Sequence, residues 1–132
     1  MGPLTRYLLD TCILIWLASE PERLSATSAS LIDAPDSELL WSDVSALEIA
    51  LKWSSGKLEL PDPPRTWLER QAEDWDLVGL PLKRTDIYRA SELPAHHRDP
   101  FDRLLVAAAI GADAIILTPD AAIAQYPVSC RW

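Results

Sequence analysis

Short apolar runs that each end at a carboxylate, where a helical pattern begins, constrain this chain more than any other feature. Tyr7-Leu8-Leu9 ends at Asp10-Thr11, after which Ile13, Leu14, Trp16 and Leu17 recur at helical spacing. The run from Glu38 to Trp41 is followed by Asp43, with Glu48 one turn deeper, and Ala114-Ile115-Ile116-Leu117 is closed by Thr118-Pro119-Asp120. Strands alternating with helices predict an α/β fold with a small, mainly parallel sheet. In open sheets of this kind ligands gather beyond the carboxyl ends of the strands, so acids far apart in sequence can converge there. Asp99 and Asp102 add a fourth source of acids from a helix start.

The rest of the pattern fills in around these junctions. Pro21 stops the first helix; Ser25 caps a second, which ends at Ala34-Pro35 because a residue before proline disfavours the helical region. A third helix spans Ser42 to Lys57 with Gly56 as its C-cap, and Pro64 opens a fourth. Pro81 makes Leu77 to Leu82 a short or edge strand. Ile87, Tyr88 and Leu93 mark a modest helix, Pro94 to Arg98 is the most loop-like stretch, and Asp99-Pro100 opens a strong helix ending near Gly111. A short helix and a tail strand around Val128 are expected last.

At 132 residues and 48% hydrophobic, the chain can build one core without disulfides or a structural metal, so a single domain over 1–132 is expected. A formal charge of −8 opposes general coating of nucleic acid, which depends on Lys and Arg displacing counterions. Any nucleic-acid contact is then local or bridged by metal. Cys12 and Cys130 are too few for a disulfide framework, and Leu8 to Ala18 contains Asp10 and lacks a basic leader. These features predict a soluble, cytoplasmic protein without membrane association.

Two roles compete for each acid. A carboxylate at a helix start satisfies free N–H groups and complements the helix dipole, for about 0.3 to 1 kcal/mol. Asp99-Pro100-Phe101-Asp102 has the order of a cap, Thr118-Pro119-Asp120 is a similar start, and Ser45 to Glu48 resembles a capping box. Capping does not account for Glu48 among Leu47, Ile49, Ala50 and Leu51, for Asp10 framed by Leu8, Leu9, Ile13 and Leu14, or for Asp102 ahead of Leu104, Leu105 and Ala108. Ionised groups in apolar surroundings require a partner, and several like charges together require a cation. All-oxygen ligation favours Mg²⁺ or Mn²⁺, which would activate water and neutralise phosphate charge. The two histidines form no ligand spacing with the cysteines, which discounts zinc.

Taken in order, Leu8-Leu9-Asp10-Thr11, Ser45-Ala46-Leu47-Glu48-Ile49, His97-Arg98-Asp99-Pro100-Phe101-Asp102-Arg103-Leu104-Leu105 and Leu117-Thr118-Pro119-Asp120 resemble the PIN-domain ribonucleases, and among them the VapC-type toxins. The resemblance spans nearly the whole chain. It implies a PIN-like three-layer fold and a Mg²⁺- or Mn²⁺-dependent endoribonuclease. Residues matching Asp10, Glu48 and Asp102 would carry the metal, with Asp120 at a more variable fourth position. It also implies a homodimer and a small antitoxin that blocks the site. Asp99 recurs in the subgroup, where capping and metal binding remain alternatives. Candidate RNA contacts are Thr11, Lys52, Arg98, Arg103 and Thr118, with Lys57, His96 and His97 as further local positive groups; Trp16, Trp41, Trp53 and Trp67 are expected in the core or a dimer interface.

Two other readings fit a strand ending in an acid. A phosphoaspartate receiver or phosphatase-like protein is opposed by Cys12, which stands where a second Asp is wanted, and by the lack of any lysine after Lys83. A PIN-fold binding module that has lost catalysis is opposed by the intact acids.

Overall fold

The structure is a computed structural model and describes residues 3–132. Its sheet contains β1 (Thr5–Leu9), β2 (Ser37–Ser42), β3 (Val78–Leu80), β4 (Ile115–Leu117) and β5 (Cys130–Arg131), in the order β3-β2-β1-β4-β5 with every pairing parallel. The expected edge strand is β3. The tail strand lies at Cys130–Arg131 rather than around Val128. Helices α1 (Thr11–Ser19), α2 (Ala26–Asp33), α3 (Asp43–Ser54), α4 (Pro64–Asp74), α5 (Arg84–Glu92) and α6 (Pro100–Ala112) flank the sheet. Short 3₁₀ turns form at Pro21–Arg23 and Ile123–Gln125.

Alternation along the central strands explains the three layers, because successive side chains in a strand point to opposite faces. Tyr7, Leu9, Leu39 and Leu117 pack with Ile13, Leu14 and Leu17 of α1, Ile49 of α3 and Trp67 and Leu68 of α4. Leu8, Leu40 and Ile116 face the other way, onto Leu105, Val106 and Ala109 of α6 together with Ile123 and Tyr126. Burying a Leu or Ile side chain contributes about 1.5 to 3 kcal/mol, so the alternation fixes which face each strand turns to which helix layer.

Helix ends follow local chemistry, with three differences from expectation. Gly56, at φ +77°, closes α3 in a Schellman motif: its N–H bonds to Trp53 O at 3.2 Å and that of Lys57 to Lys52 O at 2.9 Å. The N-cap of α3 is Ser42, whose hydroxyl accepts from Val44 N at 3.0 Å. Ser45 is therefore not a cap but lies buried, 2.9 Å from Thr11 Oγ1. Helix α6 ends near Gly111 as expected, at Ala112, but its cap is left-handed Asp113, φ 53°. Gly111 serves α5–α6 packing instead, since a Cβ there would lie 2.8 Å from Asp86 Oδ1. Trp67 is buried as expected, whereas Trp53 is exposed.

Candidate metal centre

Strands β2 and β3 lie on one side of β1, and β4 and β5 on the other. The strand order therefore reverses between β1 and β4, the place where parallel sheets open a crevice at their carboxyl ends. A cleft of about 460 Å³ occupies this end of the sheet, and Asp10, Glu48, Asp99, Asp102 and Asp120 all line it.

Asp10 follows β1 directly and stands at the N-cap of α1, yet its side chain makes no capping hydrogen bond. Its Oδ2 instead accepts from Thr118 Oγ1 at 2.6 Å, across 108 residues of sequence. Burial pushes its carboxyl above the ordinary 3.8 despite that hydrogen bond. Glu48, buried on α3, receives Lys52 Nζ at 2.6 Å on Oε2, and this bond raises the lysine's affinity for its proton. Its other oxygen, Oε1, is buried without a hydrogen-bond partner among the described residues. Such an orphan costs about 1 to 3 kcal/mol or more when charged.

Asp102 projects from the first turn of α6. Burial, then the charges of Asp10 and Asp99, raise its carboxyl to about 7. Asp99 does cap α6, its Oδ1 accepting from Phe101 N at 2.9 Å. In Asp120, Oδ1 accepts from Ala122 N at 2.8 Å and Oδ2 lies 2.9 Å from His97 Nε2. Against its partial burial, the bonds from His97 and Ala122 hold this carboxyl below 3.8. His97 Nε2 is also 3.0 Å from Asp102 Oδ2.

Among the described residues, His97, Asp102 and Asp120 form the one trio of potential ligand atoms mutually within 4.8 Å. The ring chemistry argues that His97 is not itself a ligand. Its Nδ1 accepts the Asp99 N–H at 3.0 Å, so the hydrogen of the neutral ring sits on Nε2 and that nitrogen has no free lone pair. Burial opposes charging the ring, but the bond to Asp120 and the fields of Asp102, Asp120 and Asp99 favour it on balance; Nε2 is a donor in either form. Sequence pattern counted His97 only among local positive groups. The signal for its role is its place just before the Asp99-Pro100 cap, where the chain turns back over the first turn of α6.

The expected RNA-contact residues separate. Lys52 and Thr11 line the cleft, although the Thr11 hydroxyl is occupied by Ser45. Thr118 is buried and spends its hydroxyl on Asp10 and the Asp120 N–H. Arg98 is exposed and lines a different depression with Ser91 and Pro100. Arg103 turns inward: its guanidinium donates to the carbonyls of Ala90, Leu93 and Pro94 at 2.8 to 2.9 Å, with longer contacts to His97 O and Tyr126 Oη. It therefore satisfies the carboxyl end of α5 and the following loop rather than facing the cleft. Asp43 also leaves the acidic group, since its Oδ2 accepts from Leu82 N at 3.1 Å.

The donor set fits a hard divalent cation. Five carboxylates line one cleft with a single lysine, one buried carboxylate oxygen is unpartnered among the described residues, and burial together with the charges of Asp10 and Asp99 drives Asp102 toward protonation.

Known proteins resemble the chain along almost its whole length. The sequence profile of the family described as PIN domain matches residues 7–128. Ribonuclease VapC22 of Mycobacterium tuberculosis is 32% identical over 119 residues, which cover 89% of this chain and 88% of that protein. The fold is similar to that of VapBC2 from Rickettsia felis, solved bound to a promoter DNA fragment, with TM-score 0.71 and 16% identity over 96% of this chain and 98% of that one. It is also similar to DNA-bound VapBC from Salmonella typhimurium, with TM-score 0.67 and 14% identity over 97% and 98% of the two chains.

Proposed function

This chain belongs to the PIN-domain family, and from that premise we propose that it is a metal-dependent endoribonuclease, the toxin of a toxin–antitoxin pair. The observation that carries the reading is the buried, unpartnered Oε1 of Glu48 in a cleft shared with Asp10 and Asp102. Asp10, Glu48 and Asp102 would hold Mg²⁺ or Mn²⁺, with Asp120 as a fourth ligand and Asp99 mainly a cap. When bound, such an ion neutralises charge on the scissile phosphate and makes water acidic enough to attack it.

The protein's own groups prepare the cleft. Thr118 orients Asp10 by donating to its Oδ2. Lys52 at the rim, bonded to Glu48 Oε2, is the lysine of the cleft and would meet an RNA phosphate there. The N-terminal ends of α1 and α6 add positive dipole at the same place.

The related VapBC structures are named as assemblies of two components, which supports a small antitoxin as partner. Leu47 and Leu51, 45% and 50% exposed, lie four apart on α3 beside Glu48 and Lys52 and offer an apolar stripe for such a segment or for a homodimer. Among the described residues no helix is long and apolar enough to cross a membrane, and we read the protein as cytoplasmic and as one PIN-like domain over 1–132.

The test is cleavage of RNA by the purified protein with and without Mg²⁺ or Mn²⁺. Cleavage is expected only with the ion, and Asp10→Asn and Asp102→Asn are each expected to abolish it with circular dichroism unchanged. Undiminished cleavage in either folded variant would overturn the assignment. Absence of cleavage by the wild-type chain would support an inactive binding module.

A further inference from the structure

Asp120 sits beyond β4 on a segment without regular structure, so its aim toward Asp102 needs a cause. The histidine between them is held at three points, one on its ring and two on the main chain of its loop. Its Nδ1 is fixed by the Asp99 N–H at 3.0 Å. The His97 N–H donates to Tyr126 Oη at 2.9 Å, and that hydroxyl donates in turn to Pro94 O at 2.8 Å. Arg103 ties the same loop from below, through Pro94 O and His97 O. Tyr126 is buried, so the scaffold under His97 belongs to the core. The one free direction of the ring, Nε2–H, meets Asp120 Oδ2 at 2.9 Å with Asp102 Oδ2 at 3.0 Å beside it.

We propose that His97 is a positioning residue for the metal centre: locked by Asp99, Tyr126 and Arg103, its Nε2–H holds Asp120 against Asp102 and so assembles the fourth ligand before the cation arrives. This rests on the reading that Asp102 and Asp120 take the ion. It gives Arg103 and Tyr126 a role in the site although neither touches the cleft. Outer-shell groups that orient a metal ligand typically change metal affinity 10- to 100-fold when removed.

The experiment is Mn²⁺ binding by calorimetry on the full chain, without RNA, for wild type, His97→Ala, His97→Gln, Asp120→Ala and the His97→Ala/Asp120→Ala double variant, each checked for folding by circular dichroism. His97→Ala is expected to weaken Mn²⁺ binding about 10-fold. His97→Gln, whose amide N–H reaches the place of Nε2–H, is expected to restore most of the loss. In the Asp120→Ala background, removing His97 is expected to add nothing, because the histidine acts through that carboxylate. Proton–nitrogen correlation spectra of the metal-free protein, taken at a pH where the ring is neutral, are expected to show its hydrogen on Nε2 and none on Nδ1. The proposal is overturned if His97→Ala binds Mn²⁺ as tightly as wild type, if the double variant loses the full factor again, or if the spectra place the hydrogen on Nδ1. A wild-type chain that binds no Mn²⁺ overturns the metal-centre reading itself. Should His97→Ala not fold, Tyr126→Phe is the second probe: it removes the hydroxyl under His97 and is expected to weaken Mn²⁺ binding in the same direction, an unchanged affinity counting against the proposal.

Discussion

Replacing Asp102 with asparagine is expected to stabilise the metal-free protein at neutral pH even as it removes cleavage. Burial, aided by Asp10 and Asp99, moves the Asp102 carboxyl from 3.8 to about 7 in the folded chain, and unfolding returns it to the ordinary range. Between those values the folded state keeps a proton that the unfolded state has released. Stability is therefore greatest below pH ~4 and falls as pH rises toward 7. At about 1.4 kcal/mol per pH unit the displacement corresponds to about 4 kcal/mol, and because the cleft is open to water, screening reduces this to roughly 2 kcal/mol. For 132 residues, an unfolding entropy of about 2.1 cal/mol/K per residue converts 2 kcal/mol to about 7 °C in Tm. Asp10 and His97 are shifted upward as well and steepen the fall, whereas Asp120 is shifted down and acts only below 3.8. The assay is thermal unfolding in EDTA at pH 5 and 7.5. The wild-type Tm should drop between the two; because about six-tenths of the effect falls within this window, the drop in Asp102→Asn should be smaller by about 4 °C. Parallel curves, or a variant no more stable than wild type at pH 7.5, would refute the argument; added Mg²⁺ should raise the wild-type Tm and leave the variant's nearly unmoved.

Arg103→Met should cost about 2 to 4 kcal/mol, because it leaves the carbonyls of Ala90, Leu93 and Pro94 without their charged donor; urea unfolding reads this as a lower midpoint at unchanged slope. Gly111→Ala would ordinarily stabilise a helix by about 1 kcal/mol. Here the added carbon would lie 2.8 Å from Asp86 Oδ1 and 3.0 Å from Arg89 Nη1, and buried Asp86 must shift with its half-buried partner, so a net loss of about 1 kcal/mol is expected. A stabilised Gly111→Ala protein would show that α5 and α6 can separate freely.

Much of this protein is written locally. Strand alternation at Leu8, Leu9, Leu39 and Leu40, the Ser25 and Asp99 caps and the positive-φ Gly56 all depend on residues within a few positions of one another, and nearest-neighbour physics makes them readable. The acids at strand ends were visible for the same reason. What no local pattern contains is the direction each side chain takes once strands from distant sequence lie side by side. Asp43 follows the same strand-then-acid grammar as Asp10, yet one turns to Leu82 N and the other into the cleft. Arg103, next to Asp102 in sequence, points away from it because a helix sends adjacent residues about 100° apart and the carbonyls ending α5 lie on that side. His97 folds back between Asp102 and Asp120 where Tyr126, 29 residues later, anchors its main chain and the Asp99 N–H holds its ring. The composition of the site thus belongs to the sequence, and its geometry to long-range packing, since hydrogen bonds between groups so far apart form only after the sheet has brought their elements together.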